Sequence, residues 1–161
     1  MSVLSFEQVS ISQDGVNTLE DINLTINEGD FYYLIGRTGS GKSTFFRSII
    51  AEIGIQSGTA SVAGYSLNTI KRAEVPYLRR KLGFVFQDFQ LLTDRNVEKN
   101  LSFVLEATGH TNKEEIRFKI EEVLARVGMS SSISKRIHRL SGGEQQRICI
   151  ARAILNNPVL L

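Results

Sequence analysis

From Val3 to Val9, and again from Leu19 through Ile22, Leu24 and Ile26, apolar and polar residues alternate. That period of two is the pattern of strands with one buried face. Asp14-Gly15 marks a turn between the two runs, and Glu28-Gly29-Asp30 marks a second. The apolar stretch Phe31 to Ile35 then runs without interruption, short enough for a buried parallel strand. A glycine-rich loop follows at once. Beyond it Phe45, Phe46, Ile49, Ile50 and Ile53 recur at helical spacing, and Gly54 is placed to end that helix. The order is strand, loop, helix.

Further along, Ala60 to Val62 and Leu82 to Phe86 read as strands, the second a candidate for a parallel sheet, with a short helix between them over Glu74 to Lys81. From Val97 to Arg136 the spacing is mainly helical. Ile116, Ile120, Val123, Leu124 and Val127 fall on one face, Thr111 and Glu114 fit a capping box, and Gly128 is a stop. A last helix after Ser141, carrying Ile148, Ala151, Ile154 and Leu155, leads through Asn157-Pro158 into Val159, Leu160 and Leu161, which read as the opening of a buried strand. No repeat and no low-complexity linker interrupts the chain.

Composition narrows the class without choosing a function. A chain of 161 residues with 42% hydrophobic and 22% charged residues can bury a genuine core. A net charge of +2 is too even for a general nucleic-acid-binding field. Cys149 is the one cysteine, so no internal disulfide can form, and a reducing compartment, the cytoplasm, is expected. The N-terminus lacks the basic and apolar regions of a secretion signal. No apolar stretch approaches the ~18 residues a membrane span needs, so a membrane role has to come through a partner.

Two motifs carry chemistry. Gly36-Arg37-Thr38-Gly39-Ser40-Gly41-Lys42-Ser43, followed by Thr44, satisfies the Walker A pattern G-x-x-x-x-G-K-[ST] and stands between an expected strand and an expected helix. Its glycines let backbone N–H groups curl around a β-phosphate, and the helix N-terminus adds partial positive charge. Lys42 should reach the β- and γ-phosphates and the Ser43 hydroxyl should ligate Mg²⁺, with ATP the nucleotide expected. The bland alternative is a glycine-rich turn that happens to contain Gly-Lys-Ser. Gln87, just after the expected strand Leu82 to Phe86, offers a side-chain carbonyl to the same metal or to a water, or is simply a polar surface residue. The second motif is Leu140-Ser141-Gly142-Gly143-Glu144-Gln145-Gln146-Arg147. Ser141 and Glu144 suit a capping box, while Gly142 and Gly143 leave N–H groups open to an anion. A well-capped helix explains the first pair but not the glycines.

The phosphate loop and this second motif, in that order, resemble those of the ABC ATPases, and the likeness runs the whole length of the chain. It implies an α/β fold: a P-loop NTPase (RecA-like) core with an N-terminal antiparallel β subdomain and an α-helical subdomain at about 95–140. It implies that Gln87 is the Q-loop residue, that Ser141 to Gln145 form the signature, and that two subunits face head to tail. Ser141 and Gly143 would then meet the γ-phosphate held by the partner's Lys42, so the signature acts in trans. Within the family Phe86-Gln87-Asp88 running into Leu91-Leu92-Thr93-Asp94-Arg95-Asn96-Val97, together with Asn100-Leu101 and Leu140 to Arg147, resemble the bacterial cell-division branch. Its relatives in lipoprotein release and macrolide export have a longer link after the glutamine. An integral membrane subunit as partner, and a peripheral place on the inner face of the cell membrane, are therefore implied.

Some family features have no counterpart here. The Walker B aspartate, its following glutamate and the switch histidine would lie beyond Leu161, and His110 and His138 match neither position, which reads as surface placement for both. The expectation is a chain that is C-terminally incomplete and binds ATP with negligible hydrolysis. Ser10-Ile11-Ser12-Gln13 stands where the family places an aromatic residue against adenine, leaving base selectivity open. Arg79-Arg80-Lys81 and Lys135-Arg136 with Arg139 read as solvated faces, and Cys149 as packed. A chromosome-maintenance or repair ATPase would insert long coiled coils between the two motifs. No sustained heptads occur there, so no nucleic-acid partner is expected.

Overall fold

The computed structural model describes residues 2–13 and 16–161; the turn expected at Asp14-Gly15 lies outside them. The chain divides into two compact units, one running to Leu82 and taking in Leu160, the other spanning Gly83 to Val159 with Leu161.

The first unit holds β1 (Ser2–Gln13), β2 (Val16–Asn27), α1 (Lys42–Ile49), β3 (Ser57–Val62), β4 (Tyr65–Ser66) and α2 (Val75–Arg80). The strands form one four-stranded antiparallel sheet in the order β2-β1-β3-β4. Leu4 and Phe6 are buried, as are Val9 and Ile11, although strict alternation would turn the second pair outward. A bulge resolves this: Gln8 sits at φ 50° and the pairing with β2 shifts register between Phe6 and Val9. The bulge demands a glycine across from it, because a Cβ on Gly58, at φ 81°, would lie 2.3 Å from the Gln8 carbonyl oxygen. Phe45 of α1 packs edge-on against Phe6 at 5.5 Å between ring centroids. The turn at Glu28-Gly29 forms as expected, with the Asp30 N–H donating to the Asn27 carbonyl.

Not every expectation holds in this unit. Phe31 to Ile35 is not a buried strand: the segment pairs with no strand among the described residues, and Phe31, Tyr33 and Ile35 are 78%, 80% and 89% exposed. A parallel strand needs ladder partners on its edges and cover on both faces, and nothing within this unit supplies them. The α1 helix ends at Ile49, ahead of Gly54, because Ala51 takes φ 52° and the Glu52 N–H turns back to the Arg47 carbonyl. The basic run at 79–81 is exposed, as expected of a solvated face, and is also engaged: Arg79 donates to the Ile50 carbonyl, Arg80 stacks over Tyr77, and Lys81 reaches the Ala63 carbonyl. The short helix expected over Glu74 to Lys81 is present as α2, capped at those two residues. Of the strand expected at Leu82 to Phe86, only Leu82 pairs, in a single parallel bridge to Leu160.

The second unit is helical: α3 (Val97–Ala107), α4 (Lys113–Arg126), short 3-10 turns at Ser130–Ser132 and Ile137–Arg139, and α5 (Gly142–Ile154). Val97, Leu101, Leu105, Ile120, Leu124, Ile148 and Ala151 form its core. The α4 face falls as its spacing required, but the N-cap is Asn112, not Thr111: the Asn112 side chain accepts from the Glu114 and Glu115 N–H groups. Asparagine caps at least as well as threonine, and the chain enters the helix one residue later. Asn100, only 2% exposed, ties the compact link before α3, accepting from the Leu92 N–H and donating to the Leu92 and Asn96 carbonyls. Val159 and Leu161 remain 52% and 68% exposed, so no buried strand forms there. His110 is half-buried rather than superficial, its ring 3.6 Å from Glu115 and within reach of the Thr108 hydroxyl; His138 is exposed.

Candidate nucleotide site

The phosphate loop occupies the exposed stretch between the Phe31 to Ile35 segment and α1. Gly39 and Gly41 take φ 82° and 86°, and a Cβ on Gly41 would press into Leu19 at 2.7 Å, so a larger residue there would be strained. Ser40 turns back by its N–H to the Arg37 carbonyl at 3.2 Å. Lys42 opens α1, and its ammonium donates to the carbonyls of Gly36 at 2.8 Å and Arg37 at 2.7 Å, with the Ser40 hydroxyl at 3.4 Å. The loop thus closes around its own lysine. Gly41 supplies no side-chain cap, and no acidic residue lies in the first turn of α1, whose N-terminus carries partial positive charge. Ser43 is exposed, whereas Thr44 is buried and anchors the helix.

In the second unit Gln87 is exposed in a turn with Asp88. Phe89 and Gln90 follow at φ 61° and 47°, an unusual pair of non-glycine residues in the left-handed region. Their carbonyls are held from α5: Arg152 donates to Gln90 at 2.6 Å and to Phe89 at 2.8 Å, and the buried Cys149 thiol donates to Phe89 at 3.2 Å. Burial pushes that thiol above its usual range, against the pull of Arg152. These braces carried no motif; a cysteine and an arginine three positions apart on a helix gave no signal before the loop's path was known.

The α5 start matches its expected capping box. The Ser141 hydroxyl accepts from the Glu144 N–H, and the Glu144 carboxylate accepts from the Ser141 N–H at 2.8 Å. Those Ser141 bonds, backbone first, hold the Glu144 carboxyl below its ordinary pKa, helped by Lys135 at 3.7 Å. Gln145 instead turns inward, its amide donating to the Leu140 and Ile137 carbonyls. Gly142 and Gly143 are exposed, and a Cβ on either would touch nothing. Packing within this unit therefore does not require glycine at either position.

A phosphate-binding loop opening a helix, followed by a glycine-paired, capped signature helix, defines an ATP-binding cassette. The chain belongs to the ABC transporter family, whose model matches residues 19–161. It is 43% identical over 162 residues to the cell division ATP-binding protein FtsE of Streptococcus pneumoniae serotype 2, covering 100% of this chain and 70% of that protein. Against FtsE of Mycobacterium tuberculosis the identity is 44% over 143 residues, 89% of this chain and 62% of that one. The methionine import ATP-binding protein MetN of Geobacillus kaustophilus is 36% identical, with 99% of this chain and 47% of that protein covered. Among solved structures, the dimeric post-hydrolysis state of the ATP-binding cassette MJ0796 bound to ADP and Pi superposes with TM-score 0.82 at 31% identity, over 96% of this chain and 70% of that one. CbiO1 of Clostridium perfringens, part of the transporter complex cbiONQ, gives 0.87 at 29% identity, over 98% and 62%. The α/β class and P-loop NTPase fold follow. No helix among the described residues is long and apolar enough to cross a membrane.

Proposed function

We propose that this chain is the ATP-binding subunit of an inner-membrane ABC complex of the FtsE kind, coupling ATP binding and hydrolysis to a membrane partner in cell division. The observation that carries the reading is the phosphate loop, with its ammonium turned onto loop carbonyls beside a helix N-terminus that has no side-chain cap. Backbone N–H groups from Gly36 to Thr44 wrap the phosphates, and Lys42 exchanges the Gly36 and Arg37 carbonyls for β- and γ-phosphate oxygens. The Ser43 hydroxyl, exposed in the first unit, suits Mg²⁺, a hard cation that takes oxygen ligands and relies mostly on phosphates and water, and the Gln87 amide oxygen, exposed in the second unit, is read as a further ligand from the resemblance to the family. Among the described residues no group of three or more acidic, histidine or cysteine side chains offers an alternative metal cage. Bound there, Mg²⁺ would offset charge on the β- and γ-phosphates.

The signature serves a second copy. Two glycines cost helix stability, and internal packing does not need them, which supports close approach by an outside phosphate. Ser141 and the Gly143 N–H donate to the γ-phosphate on the partner, while Glu144 and Gln145 fix the helix start. An ATP-bound homodimer follows, held at the inner face of the membrane by a subunit of the FtsX type, with the chain itself cytoplasmic. The relatives named FtsE favour this assignment over an importer, being more alike than MetN.

Calorimetric titration with Mg-ATP tests the core of the reading. Lys42→Ala should abolish measurable binding, because the ammonium meets phosphate charge in a partly dehydrated loop. Equal affinity of variant and parent would overturn the phosphate-loop assignment.

A further inference from the structure

The Gln87 loop holds its shape at a conformational cost, since Phe89 and Gln90 both lie at positive φ without being glycine. Such backbone persists where the surroundings over-determine it. From α5, two side chains do so here, a guanidinium foremost. Arg152 spans two adjacent carbonyls, those of Phe89 and Gln90, at 2.8 and 2.6 Å, and the Cys149 thiol adds a bond to Phe89. Cys149 and Arg152 are three positions apart and share a face of α5. A planar fork of donors can serve two oxygens at once, where an ammonium serves them as a point charge. The same helix begins at Ser141, inside the capping box.

We propose that Arg152 is a positioning residue for Gln87: it fixes the Phe89–Gln90 backbone so that the Gln87 amide is presented to Mg²⁺, and it binds that loop to the helix that opens with the signature. The inference rests on the reading of Gln87 as a metal ligand. A change at the start of α5 is then felt at Gln87 chiefly through the Arg152 fork, with Cys149 adding one bond from the same helix face.

ATP affinity measured by calorimetry in EDTA and in Mg²⁺ separates the possibilities, using the parent, Gln87→Ala, Arg152→Met, Arg152→Lys and the double variant Gln87→Ala/Arg152→Met. In EDTA the metal plays no part, so all should bind ATP within about twofold of the parent. In Mg²⁺, Gln87→Ala and Arg152→Met should each forfeit roughly tenfold of the affinity that the metal adds, the scale of one well-placed bond to a charged group. The double variant should lose no more than Gln87→Ala alone, because both changes remove one interaction. Arg152→Lys should fall between parent and Arg152→Met, and it carries the test should Arg152→Met not fold. If the Arg152 variants keep the full Mg²⁺ gain while Gln87→Ala loses it, or if the two losses multiply, Arg152 only packs and the inference is wrong. If Gln87→Ala itself keeps the gain, the metal-ligand reading has failed and the inference falls with it.

Discussion

Cys149 illustrates how one residue's chemistry is decided by where its helix lies. Its side chain is fully buried against the Gln87 loop, and desolvation outweighs the neighbouring Arg152, so the thiolate is disfavoured. Iodoacetamide should therefore modify the native chain far more slowly than the unfolded one at pH 8, and mass spectrometry of timed samples checks this. The same shift has a sign for stability. A thiol whose pKa is higher folded than unfolded costs nothing while both states are protonated. As pH rises past the unfolded value of roughly 8.5, the unfolded state is favoured by releasing its proton first, so stability falls. Urea titrations at pH 7 and pH 10 should show this loss, and Cys149→Ser should flatten that part of the profile.

Among the elements, the β1–β3 pair is held by a local conflict that glycine resolves. The bulge at Gln8 keeps both Leu4–Phe6 and Val9–Ile11 on the core side, and Gly58 alone can pass the Gln8 carbonyl. Gly58→Ala combines a backbone clash with a positive φ and should destabilise the chain by about 2 kcal/mol or more, read from denaturant midpoints. An unchanged midpoint would show that the strand slips to avoid the contact. At the start of α5, Ser141→Ala removes one half of the capping box and should cost about 1 kcal/mol. The Glu144 carboxylate, whose pKa is lowered by its bonds to Ser141, contributes its share above the ordinary carboxylate range and loses it as pH falls through the lowered value.

At the scale of the whole molecule the proposed head-to-tail dimer makes Ser141 a residue whose loss is seen only in association. Ser141→Arg, studied with hydrolysis blocked, should leave ATP affinity of the monomer near that of the parent. It should weaken ATP-dependent dimerisation by tenfold or more, since hydrogen bonds to a charged group contribute roughly 1.5 to 3 kcal/mol each and a dimer would contain two such sites. Sedimentation velocity in ATP measures both species. A variant that dimerises as readily as the parent reduces Ser141 to a helix cap.

Periodicity and motif spacing alone determined the loop and helix around Gly36 to Ser43, the amphipathic face of α4, the capping box at Ser141 and the family itself. These rest on local physics, in which neighbours in sequence are neighbours in space. Tertiary structure decided the rest. The register shift at Gln8, the bonds from α5 to the Gln87 loop and the inward turn of Gln145 depend on residues distant along the chain. Phe31 to Ile35 makes the same point in reverse: its composition suits a buried parallel strand, but burial requires flanking strands, and within its unit none pairs with it.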